Sequence, residues 1–190
     1  MTQAEFVEHV IGRIGDIRST RPSTKFIAIS GTDCAGKSTL AAAVQERLVK
    51  LGFSVKNISI DKFLTPLEAK SRRVPEFMGY FEDAFDYHAL MSELQTASGS
   101  SQIVLVEGVF LLRQELRHWW DLAIWLEIDR ALALERALIR DLAYFGDEAT
   151  VRRVYETRCA PAQSYHLQRD EPATHAHIVA SFRTGFWVTH

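Results

Sequence analysis

The segment GTDCAGKS, Gly31 to Ser38, constrains this chain more than any other. It matches the pattern G-x-x-x-x-G-K-[ST] in full. A short β-rich apolar run, KFIAIS (Lys25 to Ser30), precedes it, and a helical face of Leu40, Val44 and Leu48 follows. Gly31 and Gly36 permit backbone conformations that residues with a Cβ avoid. The loop can therefore point successive N–H groups inward as an anion nest. The helix behind it adds free N–H groups and the positive end of its dipole. An ordinary glycine turn with a surface lysine could share these letters, but it has no need of the strand–loop–helix order. This reading makes Gly31, Asp33, Cys34, Ala35, Gly36, Lys37, Ser38 and Thr39 a binding loop for the phosphates of ATP. Lys37 can reach the β- and γ-phosphates, and Ser38 Oγ can coordinate Mg²⁺.

The remaining pattern predicts an α/β fold around a parallel sheet flanked by helices. Phe6, Val10, Ile14 and Ile17 recur at helical spacing, and Arg21-Pro22-Ser23 breaks that helix. Gly52 ends the helix after the glycine loop. Ser54 to Ile60 reads as a second strand ending at Asp61. Lys62 to Phe85 has no clean period and reads as a long surface excursion, a length of loop that is often functional. Asp86 can N-cap a helix through Leu90 and Leu94 that stops near Ser98-Gly99. IVLVE (Ile103 to Glu107) and LAIWLEI (Leu122 to Ile128) are continuous apolar strands, as expected where both sheet faces are covered. Asp129 opens a helix with Leu134, Leu138 and Leu142. A further helical stretch runs from about Asp147 to Tyr165, and His177 to Ala180 reads as a last short strand. The 190 residues fit one domain, 1–190, without repeat or linker.

Charge and cysteine usage narrow the function classes. The 22 basic and 24 acidic residues leave a formal net charge of −2, and no basic stripe suits a nucleic-acid backbone. A mononucleotide or a small metabolite fits this balance. The N-terminal segment carries acids and no long apolar core, so neither a signal peptide nor a membrane span is expected. Cys34 and Cys159 form no metal-ligand pattern and read as reduced thiols in a cytoplasmic protein. The seven histidines form no site; His175 and His177 read as surface or packing residues. The four tryptophans read as core and edge packing. A homo-oligomer is left open.

In open α/β sheets the ligand lies beyond the carboxyl ends of the strands, and the glycine loop marks that edge. Asp61 and Glu107 end two strands and should point into the same crevice. Asp61 can accept a proton from a substrate hydroxyl or help hold Mg²⁺ through water; its other role is to cap the turn into Lys62 and Phe63. Glu107 can be a metal-shell carboxylate; its other role is a structural hydrogen bond to a neighbouring loop. Arg136 and Arg140 share a helix face, and Arg152, Arg153 and Arg158 follow. A flap bearing arginines can close over phosphates and exclude water. The alternative is a solvated face paired with Glu135, Asp141, Glu148 and Glu156. Arg140, placed where the helix closes before AYFGDE, is the strongest candidate for the catalytic role, and Arg136 is assigned to the nucleotide.

The succession GTDCAGKST, ISIDKF, GYFEDAFDY, VLVEGVFLLRQELRHWWDLAIWLEI, RALIRD and RVYETRCAPAQSYHL resembles the uridine kinase and phosphoribulokinase family of P-loop kinases, the short bacterial uridine kinase-like branch above all. The resemblance runs from about Lys25 to Ala180. It implies a P-loop nucleoside triphosphate hydrolase fold of the nucleoside monophosphate kinase-like kind, with a helical lid over about 140–165. It implies ATP- and Mg²⁺-dependent phosphorylation of a hydroxyl on a small-molecule acceptor. Asp61 would be the general base close to the metal, Glu107 the metal-shell glutamate, and Arg140 a lid arginine. Phe63, Tyr80, Phe81 and Asp83 fall where related enzymes line the acceptor site. Two departures stand out. The interval from Asp86 to Glu107 holds one helix and a short loop, without the family's pyrimidine-facing segment. The late ADVVV pattern appears as AHIVA, without its aspartate. Phosphoryl transfer survives these departures better than uridine as acceptor does. A nucleotide-binding regulatory module, or a kinase of nucleoside monophosphates with a second phosphate site of arginines, are the rival readings.

Overall fold

The computed structural model describes residues 1–20, 23–66, 75–183 and 185–190. Its centre is a six-stranded sheet with β1 (Lys25–Gly31), β2 (Val55–Ser59), β3 (Ile103–Gly108), β4 (Leu122–Glu127), β5 (Ile178–Arg183) and β6 (Phe186–Thr189) in the order β2-β3-β1-β4-β5-β6. The first five are parallel and β6 runs antiparallel to β5. Successive residues of a strand face opposite sides. Ala28, Val104 and Val106 enter one apolar layer, while Ile27, Ile29, Ile103 and Leu105 enter the other. Burial on both faces explains why these strands read as unbroken apolar runs.

Helices α1 (Gln3–Thr20) and α2 (Lys37–Lys50) cover one face through Phe6, Val10, Ile14, Leu40, Val44 and Leu48. The opposite face carries α3 (Glu76–Asp83) and α4 (Tyr87–Ser98), with Phe81, Leu90 and Leu94 buried. Asp86 caps α4 by accepting from Ala89 N at 2.9 Å, and Asp129 caps α5 (Arg130–Phe145) by accepting from Ala131 N at 2.8 Å. A third, small apolar cluster lies outside the sheet. Ala133 and Ala137 of α5 meet Val151 of α6 (Glu148–Val154) together with Tyr155 and Ala160, and Cys34 and Cys159 border it. This cluster ties α5 and α6 to the glycine loop.

Several sequence expectations change in detail. β2 stops at Ser59 because Ile60–Phe63 winds into a 3₁₀ turn, with Ser59 Oγ accepting from Asp61 N. The excursion from Lys62 to Phe85 contains α3, whose apolar face is two turns long and too short to show a period; positions 67–74 lie outside the described residues. Arg140-Asp141 does not close α5, which runs on to Phe145 and ends at Gly146. The stretch from Asp147 to Tyr165 is three pieces: α6, a π turn at Tyr155–Cys159, and α7 (Ala160–Asp170). β6 was not expected from the sequence. It is fixed by Trp187, which stacks on Phe6 at 5.1 Å, and by the Met1 amine, which donates to the Trp187 carbonyl at 2.8 Å.

Candidate active site

A cavity of about 750 Å³ opens beyond the carboxyl ends of β1, β2 and β3. The glycine loop forms its floor. Gly36, at φ +88°, turns the chain into α2, whose first residue is Lys37. A Cβ on Gly31 would collide with the Leu126 backbone, so β1 can approach β4 this closely only with glycine there. Thr32 holds the loop by donating its N–H to Leu126 O at 3.0 Å and accepting from Ile128 N at 3.3 Å. Ala35 is fully buried and anchors the loop in the core, while Ser38 and Thr39 are exposed at the cavity.

Lys37 is nearly buried, and its Nζ donates to Thr32 O at 2.7 Å. Burial lowers its pKa, and the charges of Asp33 and Glu107 oppose that shift. Ser38 Oγ donates to Glu107 Oε2 at 2.9 Å, so the loop hydroxyl and the β3 carboxylate share one point of the wall. Asp61 sits on the rim, held there by the 3₁₀ turn. Partial desolvation raises its pKa, and the nearby Glu107 adds to the shift. Among the described residues no three His, Cys, Asp or Glu side chains form a metal cage. Ser38, Glu107 and Asp61 nevertheless present the hard oxygen atoms that Mg²⁺ takes alongside phosphate oxygens and water.

The arginines divide. Arg136 donates to Cys34 O at 3.0 Å, and its guanidinium lies 4.9 Å from the Phe182 ring centre. It separates the main cavity from a hollow of about 260 Å³ whose walls include Gly36, Thr39, Phe182 and Trp187. Arg140 lines the main cavity and forks onto Asp141 at 2.6 and 2.8 Å, an interaction that raises its pKa. Arg152 pairs with Glu148 at 2.6 Å on an exposed helix turn, as the solvated-face alternative expects. Arg158 lies over Tyr80 at 5.1 Å instead.

The expected acceptor residues do not all reach the cavity. Tyr80 lines it, edge-on to Phe110 at 5.4 Å, with burial raising its pKa well above the usual phenol value. Phe81 does not: it is fully buried between Phe110, Tyr165 and the Arg113 guanidinium, because the α3 face that carries it packs on the core. Phe63 turns inward onto the same core, and the next residue, Leu64, lines the cavity. Asp83 is not on the described wall; its backbone carbonyl accepts the Thr65 hydroxyl. Sequence reasoning missed Leu64, Val109, Asp141 and Tyr144 on the wall. Val109 follows Glu107-Gly108, so its neighbourhood was readable. Tyr144 was concealed because α5 extends beyond Arg140.

Comparison with solved structures places this architecture. A possible uridine kinase from Bacillus stearothermophilus superposes with a TM-score of 0.64 at 20% identity, covering 90% of this chain and 98% of that one. A candidate fructose transport system kinase from Silicibacter sp. TM1040 gives a TM-score of 0.71 at 19% identity, covering 96% and 100%. This is a uridine kinase-like P-loop fold. In sequence, the chain is 31% identical over 109 residues to a uridine kinase from Schizosaccharomyces pombe. That match takes in 56% of this chain and 23% of the relative's length. No family model matches. In this uridine kinase-like fold the interval from Asp86 to Glu107 is α4 and a short loop leading into β3, as the sequence suggested. Among the described residues no helix is long and apolar enough to cross a membrane.

Proposed function

We propose that the protein is an ATP- and Mg²⁺-dependent kinase that phosphorylates a hydroxyl of a small metabolite. The observation that carries this reading is the convergence of Lys37, the Ser38–Glu107 pair and Asp61 on one cavity at the strand ends. The N–H groups of Gly31 to Thr39 hold the β- and γ-phosphates. Lys37 leaves the Thr32 carbonyl for the phosphate oxygens and offsets their charge. Arg136, laid on Phe182 beside Gly36 and Thr39, faces the hollow that takes the base. Ser38, Glu107 and Asp61 would hold Mg²⁺, which would supply positive charge to offset that of the phosphates. Asp61 accepts the proton of the attacking hydroxyl; its raised pKa suits that task. Arg140 exchanges Asp141 for the transferring phosphoryl group as the lid closes. The compartment proposed is the cytoplasm.

A kinase of nucleoside monophosphates is disfavoured. Among the described residues only Arg136 and Arg140 line the cavity from the arginine group, so a second phosphate site is not assembled there. The test is ADP release with a panel of nucleosides, sugars and other hydroxyl metabolites. A turnover with one acceptor well above the water background supports the kinase. Slow hydrolysis alone, unchanged by every acceptor, favours a regulatory nucleotide-binding module. Uridine is expected not to be the best acceptor, because the groups that would read uracil have no source between Asp86 and Glu107. A uridine kcat/KM far above all others overturns that part.

A further inference from the structure

The hollow behind Arg136 is walled in part by the first turn of α1. Gln3, the first residue of that helix, lines it together with Gly36, Thr39, Phe182 and Trp187. Gly36, Thr39 and Arg136 also line the main cavity, so the two spaces adjoin at the start of α2. Gln3 is held in place from both sides. Thr2 and Glu5 form a reciprocal capping box around it: Thr2 Oγ1 accepts from Glu5 N at 3.2 Å, and Glu5 Oε2 accepts from Thr2 N at 2.8 Å. Met1 pairs with Trp187 through both of its backbone groups, each at 2.8 Å. Phe6, one turn further on, stacks on the same indole at 5.1 Å. The indole in turn reaches the glycine loop, within 4.0 Å of where a Cβ on Gly36 would stand. The start of α1, β6 and the glycine loop are therefore one packed unit around the hollow.

The walls suit a planar heterocycle. Phe182 and Trp187 meet edge-on at 5.4 Å, and the Arg136 guanidinium lies over Phe182. Aromatic and guanidinium surfaces favour a flat ring between them. Among the polar side chains of the hollow, Arg136 is already committed to the Cys34 carbonyl, and Thr39 stands at the phosphate end. Gln3 is exposed and brings an amide, an acceptor oxygen beside a donor nitrogen. Adenine carries the complementary pair on one edge: its 6-amino group donates and its N7 accepts, and a glutamine amide matches both at once. A 6-oxopurine presents two acceptors there, so the amide oxygen has nothing to accept from. We infer that Gln3 reads the base of the nucleotide and favours adenine over a 6-oxopurine. This rests on the phosphotransfer reading and deepens it. It gives the start of α1 a part in nucleotide choice that the glycine loop, which meets only phosphates, does not supply.

The experiment is a calorimetric titration, with Mg²⁺ present, of ADP, IDP and pyrophosphate. These ligands occupy the loop without turning over, IDP replaces the 6-amino group by an oxygen, and pyrophosphate has no base. The parent should bind ADP about tenfold or more tightly than IDP, the discrimination expected of one bidentate pair. Gln3→Ala, and Gln3→Met which keeps the length of the side chain, should bring that ratio to about threefold or less. Both should move the pyrophosphate Kd by less than about twofold. A general loss of stability would weaken ADP and IDP alike, so the ratio reports the amide itself. A parent that binds IDP as tightly as ADP overturns the inference, and so does a ratio that both variants leave intact. If pyrophosphate binds as tightly as ADP, the hollow holds no base: the inference falls while the phosphate loop stands. If neither the nucleotides nor pyrophosphate bind, the phosphotransfer reading falls and takes the inference with it.

Discussion

The phosphate side and the acceptor side of the cavity are built by different means. The side proposed for phosphate is backbone: nine consecutive residues, Gly31 to Thr39, whose N–H groups and helix terminus are suited to an anion. The side proposed for the acceptor is side chain: Asp61, Tyr80, Val109 and Tyr144 come from four separate segments and meet only after folding. A backbone-built site needs a fixed spacing, so it is specified locally. A side-chain-built site needs only that distant elements pack in one way, so it can vary while the fold persists. The two halves should therefore respond differently to substitution.

The largest effect is expected at Lys37. Lys37→Ala removes the Lys37 ammonium from the floor of the cavity, and turnover should fall by about 10²–10³-fold, the usual loss for a charge-stabilising donor. The stabilisation by MgATP, ~2.7 kcal/mol at a hundredfold excess over Kd, should largely vanish from thermal melts. Retention of that shift would mean that the loop does not bind phosphates through Lys37, and the contrast between the halves would lose its first term.

Glu107 tests whether the two halves meet at the metal. Glu107→Gln keeps an acceptor for the Ser38 hydroxyl, so folding should change by less than the ~1 kcal/mol of one hydrogen bond. Its Mg²⁺ requirement should rise about 10- to 100-fold, the cost of altering a metal-site partner. A Mg²⁺ titration of turnover decides. An unchanged curve makes Glu107 a structural partner of Ser38 only.

Arg140 is expected to matter less, because its guanidinium is largely exposed and already paired with Asp141. Arg140→Ala should lower turnover by about 10- to 100-fold, the loss of one charged hydrogen bond, with ATP binding kept. Arg140→Lys should not restore it fully, since lysine lacks the planar fork. Full activity in both variants places Arg140 on the solvated face with Arg152.

These differences also explain how far the sequence could be read. The sheet and glycine loop were legible because apolar runs such as IVLVE and the loop spacing are local signals, and Asp86 and Asp129 announce their helices as caps. The acceptor wall was legible only by analogy. Phe81 and Tyr80 are adjacent letters, yet one is core and the other cavity, and that depends on the face that a helix of eight residues turns to the sheet. The π turn at Tyr155–Cys159 gave no signal at all, because no residue pattern marks it. His166 is a similar case: the sequence offered no site for it, and the fold buries it.

The smallest expected effect lies beneath the acceptor side, at that histidine. His166 Nδ1 lies 2.7 Å from Asp170 Oδ2, with both side chains buried, and Asp170 Oδ1 accepts from Gln114 N at 3.2 Å. The pair thus fastens α7 to the segment after β3. Burial lowers the His166 pKa, Asp170 opposes the shift, and Arg113 and Arg117 add to it. Asp170 in turn is held below its ordinary value by the His166 bond and the Gln114 N–H, against its desolvation. The neutral Nδ1–H tautomer donating to the carboxylate fits both directions. A histidine whose folded pKa is depressed takes up its proton more readily in the unfolded chain. Its contribution to stability is therefore complete above the unfolded value of about 6.5 and falls as pH drops below it. Loss of the Asp170 contribution begins lower, near the unfolded carboxylate value of about 3.9. The urea midpoint should accordingly decline between pH 7.5 and pH 5.5, before the carboxylate titrates. His166→Gln, which can still donate to Asp170, should show a smaller decline over the same interval even if it is less stable throughout. The other histidines are common to both proteins, so the difference between the two slopes isolates His166. Equal slopes would mean that folding leaves the His166 pKa unchanged, and a parent that declines less than His166→Gln would mean that His166 is protonated in the fold. In that case the brace under α7 is an ion pair, and the acceptor side is anchored by charge instead of by a neutral hydrogen bond.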